Sequence, residues 1–196
     1  TVAGPHEALG LGDRMASAEQ LVRFEVDGPL GLLILNRPAK LNALSSALLE
    51  ELLSRLDEAE SSPEVKVVGL TGEGRVFSAG IDLKEVASAR TPDEAARPFS
   101  LLARVFRRLL DLGKPVGIGL NGDAYGGGAE LVWAADMVVA VKGAKLVWPE
   151  PRWGLIAPVL AAVGPLAMGL HRATYLVLTG TPLEAEEAHR LGIVSI

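Results

Sequence analysis

An α/β fold with buried strands is what this sequence predicts, and two observations carry the prediction. Short apolar runs recur at 30–35, 65–70, 115–120 and 137–141, as strands buried on both faces require. Between them lie longer stretches with helical spacing, several opened by a capping residue and closed by glycine or proline. Composition agrees. Of 196 residues, 49% are hydrophobic, and 19 Lys and Arg stand against 24 Asp and Glu for a net charge of −5. That is enough length and apolar content for one domain with its own core. The acidic balance argues against a general nucleic-acid binder. There is no cysteine, so disulfides, thiolate metal sites and Cys nucleophiles are excluded together. Cysteine-free composition fits a cytoplasmic chain.

Taken in order, residues 1–20 lack a basic stretch followed by an apolar core. They read as a loosely ordered leader, not a signal peptide, and residues 21–196 as the core domain. Residues 21–27 alternate apolar and polar, Asp27-Gly28-Pro29 signals a turn, and 30–35 is apolar, which together predict a hairpin. Ser45 caps a helix to about residue 60, with Leu48, Leu49, Leu52, Leu53 and Leu56 on one face. After the strand at 65–70 comes a glycine-rich loop over 72–80. Thr91-Pro92-Asp93-Glu94 is a capping box with proline at the first helical position, and its helix runs to about residue 112. A strand over 115–120 leads into a loop over 121–128 and a helix to about residue 134. Strands follow at 137–141 and 145–148. Residues 165–178 read as one helix ended by Gly180. Thr181-Pro182-Leu183-Glu184 repeats the capping box before a last helix to about residue 191, and 193–196 starts a strand.

The uncharged stretch 153–170 has the length of a membrane span. Its prolines, glycines and many alanines instead fit a loop feeding a buried helix, so no membrane segment is expected.

The strongest chemical signal is Asn121-Gly122-Asp123-Ala124-Tyr125-Gly126-Gly127-Gly128-Ala129-Glu130. A strand runs into glycines, and the glycines open a helix. Without Cβ atoms they let a ligand lie against the backbone. The first helical N–H groups lack intrahelical partners and sit at the positive end of the dipole. They can bind an anion, or an oxygen that becomes negative in a transition state. Three adjacent glycines cost on the order of a kcal/mol each over Ala in a helix, so packing alone is a poor reason for them. Glu130 sits one turn in. A second small-residue stretch, Val76-Phe77-Ser78-Ala79-Gly80-Ile81-Asp82-Leu83-Lys84, also permits close approach. Trp148-Pro149-Glu150 places a carboxylate in apolar surroundings, which disfavour its charge. Two such carboxyls can divide acid and base roles.

Other chemistries fail on inspection. Gly72-Glu73-Gly74 lacks the third glycine of a dinucleotide fingerprint, Phe77 standing in its place. No Gly-Lys-Ser/Thr follows a glycine loop. Ser78 is one residue short of a nucleophile elbow, since Val76 stands where glycine is needed. Glu186 and His189 have i, i+3 spacing without a partner motif, so no metal is assigned.

Taken together and in order, these pieces resemble the enoyl-CoA hydratase/isomerase (crotonase) superfamily. The carriers are Asn36-Arg37-Pro38-Ala39-Lys40-Leu41-Asn42-Ala43-Leu44, Phe77 through Lys84, Lys114-Pro115-Val116 through Gly126-Gly127-Gly128-Ala129-Glu130-Leu131, Trp148-Pro149-Glu150 with Trp153-Gly154-Leu155-Ile156, and the tail from Leu178-Thr179-Gly180 to Val194. The resemblance implies a spiral of ββα turns, acyl-CoA thioester substrates with no separate cofactor, and a homo-oligomer, trimer or dimer of trimers. It implies an oxyanion hole from the N–H groups of Ala79 and Gly127, with Glu130 and Glu150 flanking a water. Holding both glutamates implies a hydratase of fatty acid metabolism, forming 3-hydroxyacyl-CoA from 2-enoyl-CoA. It places Lys40, Ala43, Asp82 and Lys84 near the CoA adenine and phosphates, and Ser78, Gly80, Gly126, Gly128 and Trp148 along the substrate.

The sequence departs from the family pattern twice. Ala157-Pro158-Val159-Leu160-Ala161-Ala162 replaces a glycine-rich segment, which changes the wall near Glu150. The usual C-terminal helical segment, which closes the acyl pocket, does not follow Ile196, so apolar surface is expected to be open. An isomerase or thioester hydrolase on the same fold, and a non-catalytic CoA-binding oligomerisation module, are the competing readings.

Overall fold

The computed structural model describes residues 20–196; the leader expected over 1–20 lies outside them except for Gln20. Strands β1 (Val22–Asp27) and β2 (Leu30–Leu35) form the expected antiparallel hairpin, with Val22 opposite Leu35. Gly28 turns it at φ +53°, a conformation that suits glycine in a two-residue hairpin turn. Helix α1 (Ser46–Ser61) starts where Ser45 Oγ accepts from the Leu48 N–H, and it buries Leu48, Leu49, Leu52 and Leu56 completely. Each such leucine contributes roughly 1.5–3 kcal/mol by leaving water.

The next strands alternate between two sheets. β3 (Val67–Gly72), β5 (Val116–Leu120) and β7 (Met137–Ala140) extend the hairpin into a five-stranded sheet in the order β1-β2-β3-β5-β7, parallel from β2 onward. β4 (Val76–Ser78), β6 (Asp123–Tyr125), β8 (Lys145–Val147) and β9 (Leu183–Glu184) form the second sheet, parallel except for the last pair. Each turn of the chain adds one strand to each sheet, the spiral of ββα turns that the family resemblance implies. Helices α2 (Leu83–Ser88), α3 (Pro92–Leu110) and α4 (Gly127–Glu130) follow strands of the second sheet or precede those of the first. One core joins the layers, with Leu33, Leu52, Leu70, Phe77, Ile118 and Trp148 at its centre.

Several local readings need correction. The two glycine-rich loops each contain a three-residue strand, β4 and β6, too short to show periodicity. The single helix expected over 165–178 is two, α5 (Pro158–Met168) and α6 (Leu170–Thr179), broken at Gly169 with φ +85°. Pro158, not Pro165, holds the first helical position. Thr181 does not cap. Residues 183–184 pair with β8, α7 (Ala185–Arg190) starts beyond them without a side-chain cap, and Thr181 Oγ1 lies 2.9 Å from Thr179 Oγ1. Residues 193–196 form no strand, although the Ser195 N–H donates to Val138 O at 2.7 Å along β7.

The apolar stretch after β8 is not buried as expected. Trp153 is 64% exposed, Ile156 60% and Leu166 86%; α5 buries only Leu160, Gly164 and Met168. Among the described residues no helix is long and apolar enough to cross a membrane.

Candidate active site

Four chain segments meet at an apolar cleft of about 410 Å³. The loop after β4 supplies Ala79, Gly80 and Ile81, and the start of α4 supplies Gly126, Gly127 and Glu130. Glu150 and Trp153 come from the 3₁₀ turn after β8, and Pro158 and Val159 from the start of α5. One face of α3 closes the cleft with Phe99, Leu102, Ala103 and Phe106. The opposite face of that helix puts Leu101, Val105 and Leu109 into the core. Its spacing therefore serves two apolar environments.

Two glycines are required by the geometry. A Cβ on Gly80, at φ +81°, would stand 2.6 Å from Tyr125 O; one on Gly126, at φ +50°, would stand 3.0 Å from Glu150 Oε1. The first lets the two glycine loops pack together, and the second lets Glu150 approach the start of α4.

Ala79 does not provide an oxyanion donor. Its N–H donates to Leu41 O at 2.8 Å. The outward-facing amide of this loop is that of Ile81 instead. It faces Leu44 across an isolated parallel bridge in which Leu44 N–H donates to Gly80 O and Asp82 N–H to Leu44 O. In such a bridge the Ile81 N–H points to the other side. Gly127 is the first residue of α4, so its N–H has no intrahelical acceptor. Among the described residues neither amide has a hydrogen-bond partner, and a Cβ on Gly127 would lie 3.7 Å from Ile81 Cγ1. Glycine at 80 turns the chain, so the outward amide comes one residue after the small pair. No spacing in the sequence marks that shift.

Glu130 and Glu150 share the cleft wall. Glu130 is 5% exposed, and its Oε1 accepts from Val159 N–H and Leu160 N–H, both at 3.0 Å, at the start of α5. Burial pushes its carboxyl up to about 7; the Leu160 amide opposes this, the charge of Glu150 adds to it, and the Val159 amide opposes it. Burial pushes Glu150 up as well, against the pull of its own backbone amide, and its buried Oε2 has no hydrogen-bond partner.

The remaining sequence-predicted residues separate. Ser78 is fully buried and faces inward: its Oγ donates to Asn42 O and accepts from Gly80 N–H. Gly128 is a packing position, since a Cβ there would stand 2.7 Å from Ser78 Cβ. Trp148 is a core residue stacked on Trp133 with ring centroids 6.3 Å apart, and it does not line the cleft. Lys40, Ala43, Asp82 and Lys84 do not line it either. Lys40 and Lys84 are exposed. Asp82 caps α2 and pairs with Arg37 at 3.1 Å, and Ala43 O accepts from the same Arg37 nitrogen at 2.7 Å. Among the described residues no three His, Asp or Glu side chains gather as a metal site requires.

This is a spiral α/β protein whose cleft joins paired carboxyls to unpaired amides. The family model for enoyl-CoA hydratase/isomerase matches residues 26–196. A short-chain-enoyl-CoA hydratase of Clostridium acetobutylicum is 37% identical over 178 residues, covering 89% of this chain and 67% of the relative. A 2,3-dehydroadipyl-CoA hydratase of Escherichia coli is 37% identical over 166 residues, covering 84% and 64%. The crystal structure of an enoyl-CoA hydratase from Bacillus anthracis superposes with a TM-score of 0.85 at 33% identity, covering 90% of this chain and 69% of that one. The chain thus spans about two thirds of the length of these relatives. It belongs to the enoyl-CoA hydratase/isomerase family and has the crotonase fold.

Proposed function

We propose that the chain hydrates 2-enoyl-CoA thioesters to 3-hydroxyacyl-CoA. The carrying observation is that a buried carboxyl, a half-buried one and two unpaired backbone amides line one apolar cleft. The thioester oxygen accepts from the N–H groups of Ile81 and Gly127. This polarises the conjugated double bond and stabilises the enolate that forms on attack. One such donor contributes roughly two to three decades in rate. Glu130, held by the amides of α5, takes a proton from water as the water oxygen bonds to the β-carbon. The double-bond electrons pass to the thioester oxygen as an enolate. When that enolate collapses, the α-carbon takes the proton of Glu150. Solvent then returns one proton to Glu150 and accepts the other from Glu130.

The substrate brings its own CoA carrier, and this chemistry calls for no separate cofactor. Leu102, Phe106 and Leu131 would surround the acyl chain, and Lys40 and Lys84 are available to the phosphates. A homo-oligomer is part of this reading, because it would cover the exposed apolar face around α5.

The test is turnover of crotonyl-CoA by Glu130→Gln and Glu150→Gln. Each substitution keeps size and hydrogen bonding but removes a titratable group. We expect turnover to fall by about a hundredfold or more in each, with CoA affinity retained. Unchanged turnover in either variant would remove that residue from the mechanism. A product lacking a β-hydroxyl would point to isomerisation or hydrolysis instead.

A further inference from the structure

The Ile81 amide can serve as a donor only if the backbone around it is held in one orientation. That backbone is tied to the segment 36–44 by an isolated bridge and not by an extended ladder. The segment is itself under strain. Leu41 and Asn42 have φ of +51° and +53°, a left-handed conformation that Asn tolerates and Leu disfavours.

We propose that Arg37 is a positioning residue for the oxyanion hole, holding the Leu44–Ile81 bridge and with it the direction of the Ile81 amide. The inference rests on the reading of that amide as a donor. One guanidinium nitrogen carries the argument. Arg37 Nη1 donates to Ala43 O at 2.7 Å and to Asp82 Oδ2 at 3.1 Å. Ala43 directly precedes Leu44, and Asp82 directly follows Ile81. The two N–H bonds of that nitrogen therefore bind both sides of the bridge, each one residue from its contact. The side chains of Arg37 and Asp82 are only 19% and 16% exposed, so the pair is better shielded than a surface ion pair.

The clamp is anchored in turn. Arg37 N–H donates to Asn42 Oδ1 at 2.9 Å, and Asn42 N–H returns a bond to Arg37 O at 2.9 Å. Asn42 is fully buried, and its Nδ2 donates to Glu73 O and Val76 O, which fixes the segment against the entry to β4. Arg37 does not line the cleft, so it acts through the amide. A flat guanidinium can hold two acceptors in fixed directions, which a lysine ammonium on its flexible stem does less well.

The experiment uses a 2-enoyl-CoA whose double bond is conjugated to a para-dimethylaminophenyl ring. Its absorbance moves to longer wavelength when the thioester oxygen is polarised, so it reports on the hole without turnover. The wild-type chain is expected to bind it with a clear red shift. Arg37→Met and Asp82→Asn are expected to bind it within about threefold of wild type but lose at least half of the shift. With crotonyl-CoA, kcat should fall about tenfold and KM should stay within about threefold, the pattern of a lost transition-state contact. Asp82→Asn keeps an oxygen for the α2 cap, so it decides the matter if Arg37→Met does not fold. A full red shift with wild-type kcat in a folded variant would overturn the positioning role and leave the hydratase reading intact. Tight binding without any shift in the wild-type chain would overturn the oxyanion hole itself, and the proposal with it.

Discussion

Glu130 combines a nearly complete burial with a single engaged oxygen, and both stability and activity should report it. Its folded carboxyl titrates near 7, above the 4.5 of an ordinary glutamate. Stability from the protonated form is therefore full below about pH 4.5 and lost as pH rises toward 7. The loss is about 3 kcal/mol at most for a shift of this size. Glu130→Gln should then melt several degrees higher than wild type at pH 8 and equally at pH 4, by calorimetry. Equal melting at pH 8 would mean that the charge is better solvated than its burial indicates. Turnover should follow a bell in pH. As the base, Glu130 must lose its proton, so the lower limb should rise near 7, and loss of the Glu150 proton sets the upper limb. The sequence singles out each glutamate as a carboxylate beside glycine turns or apolar residues, and only the family resemblance pairs them. Ile81 was not, because the turn at Gly80 moves the outward amide past the small residues that mark the segment.

At the scale of elements, caps and long periodic segments were readable, and short ones were not. Ser45 does cap α1, with Oγ 3.3 Å from the Leu48 N–H, and Ser45→Ala should cost about 1 kcal/mol in denaturant unfolding. At Thr91 the side chain caps Glu94 as expected, but Glu94 Oε2 turns to the Arg90 N–H, one residue early. Strands β4 and β6 could not be found by alternation, since three residues give no period. They are nevertheless the strands that bring Gly80 against Tyr125 and Gly127. The boundary between α5 and α6 shows the same limit. Two prolines could each open a helix, and only the φ of +85° at Gly169 sets the break. Gly169→Ala should destabilise the chain by about 1 kcal/mol or more, although a Cβ there would touch nothing within 4 Å. No loss would show that the break can relax.

For the whole molecule, alternation of strand and helix announced an α/β fold, while its division into two sheets needed long-range pairing that no local pattern encodes. Membership of the family was legible through five separated segments in their order. The outer face of α5 and α6 was legible only as apolar composition. Trp153, Ile156, Leu166, Leu170 and Leu178 are each at least 60% exposed, more than a soluble monomer ordinarily leaves uncovered. Self-association should appear by sedimentation at micromolar concentration, and Leu166→Glu should weaken it. Only monomer at tens of micromolar would show that this face is not a contact between copies.

The central claim is that water adds across the double bond of a bound enoyl thioester in this cleft. Incubating the chain with crotonyl-CoA in ¹⁸O-water and weighing the product tests it directly. The expected product is 3-hydroxybutyryl-CoA carrying one ¹⁸O at the β-hydroxyl. Recovery of free butenoate and CoA, or of a shifted double bond without added oxygen, would contradict it.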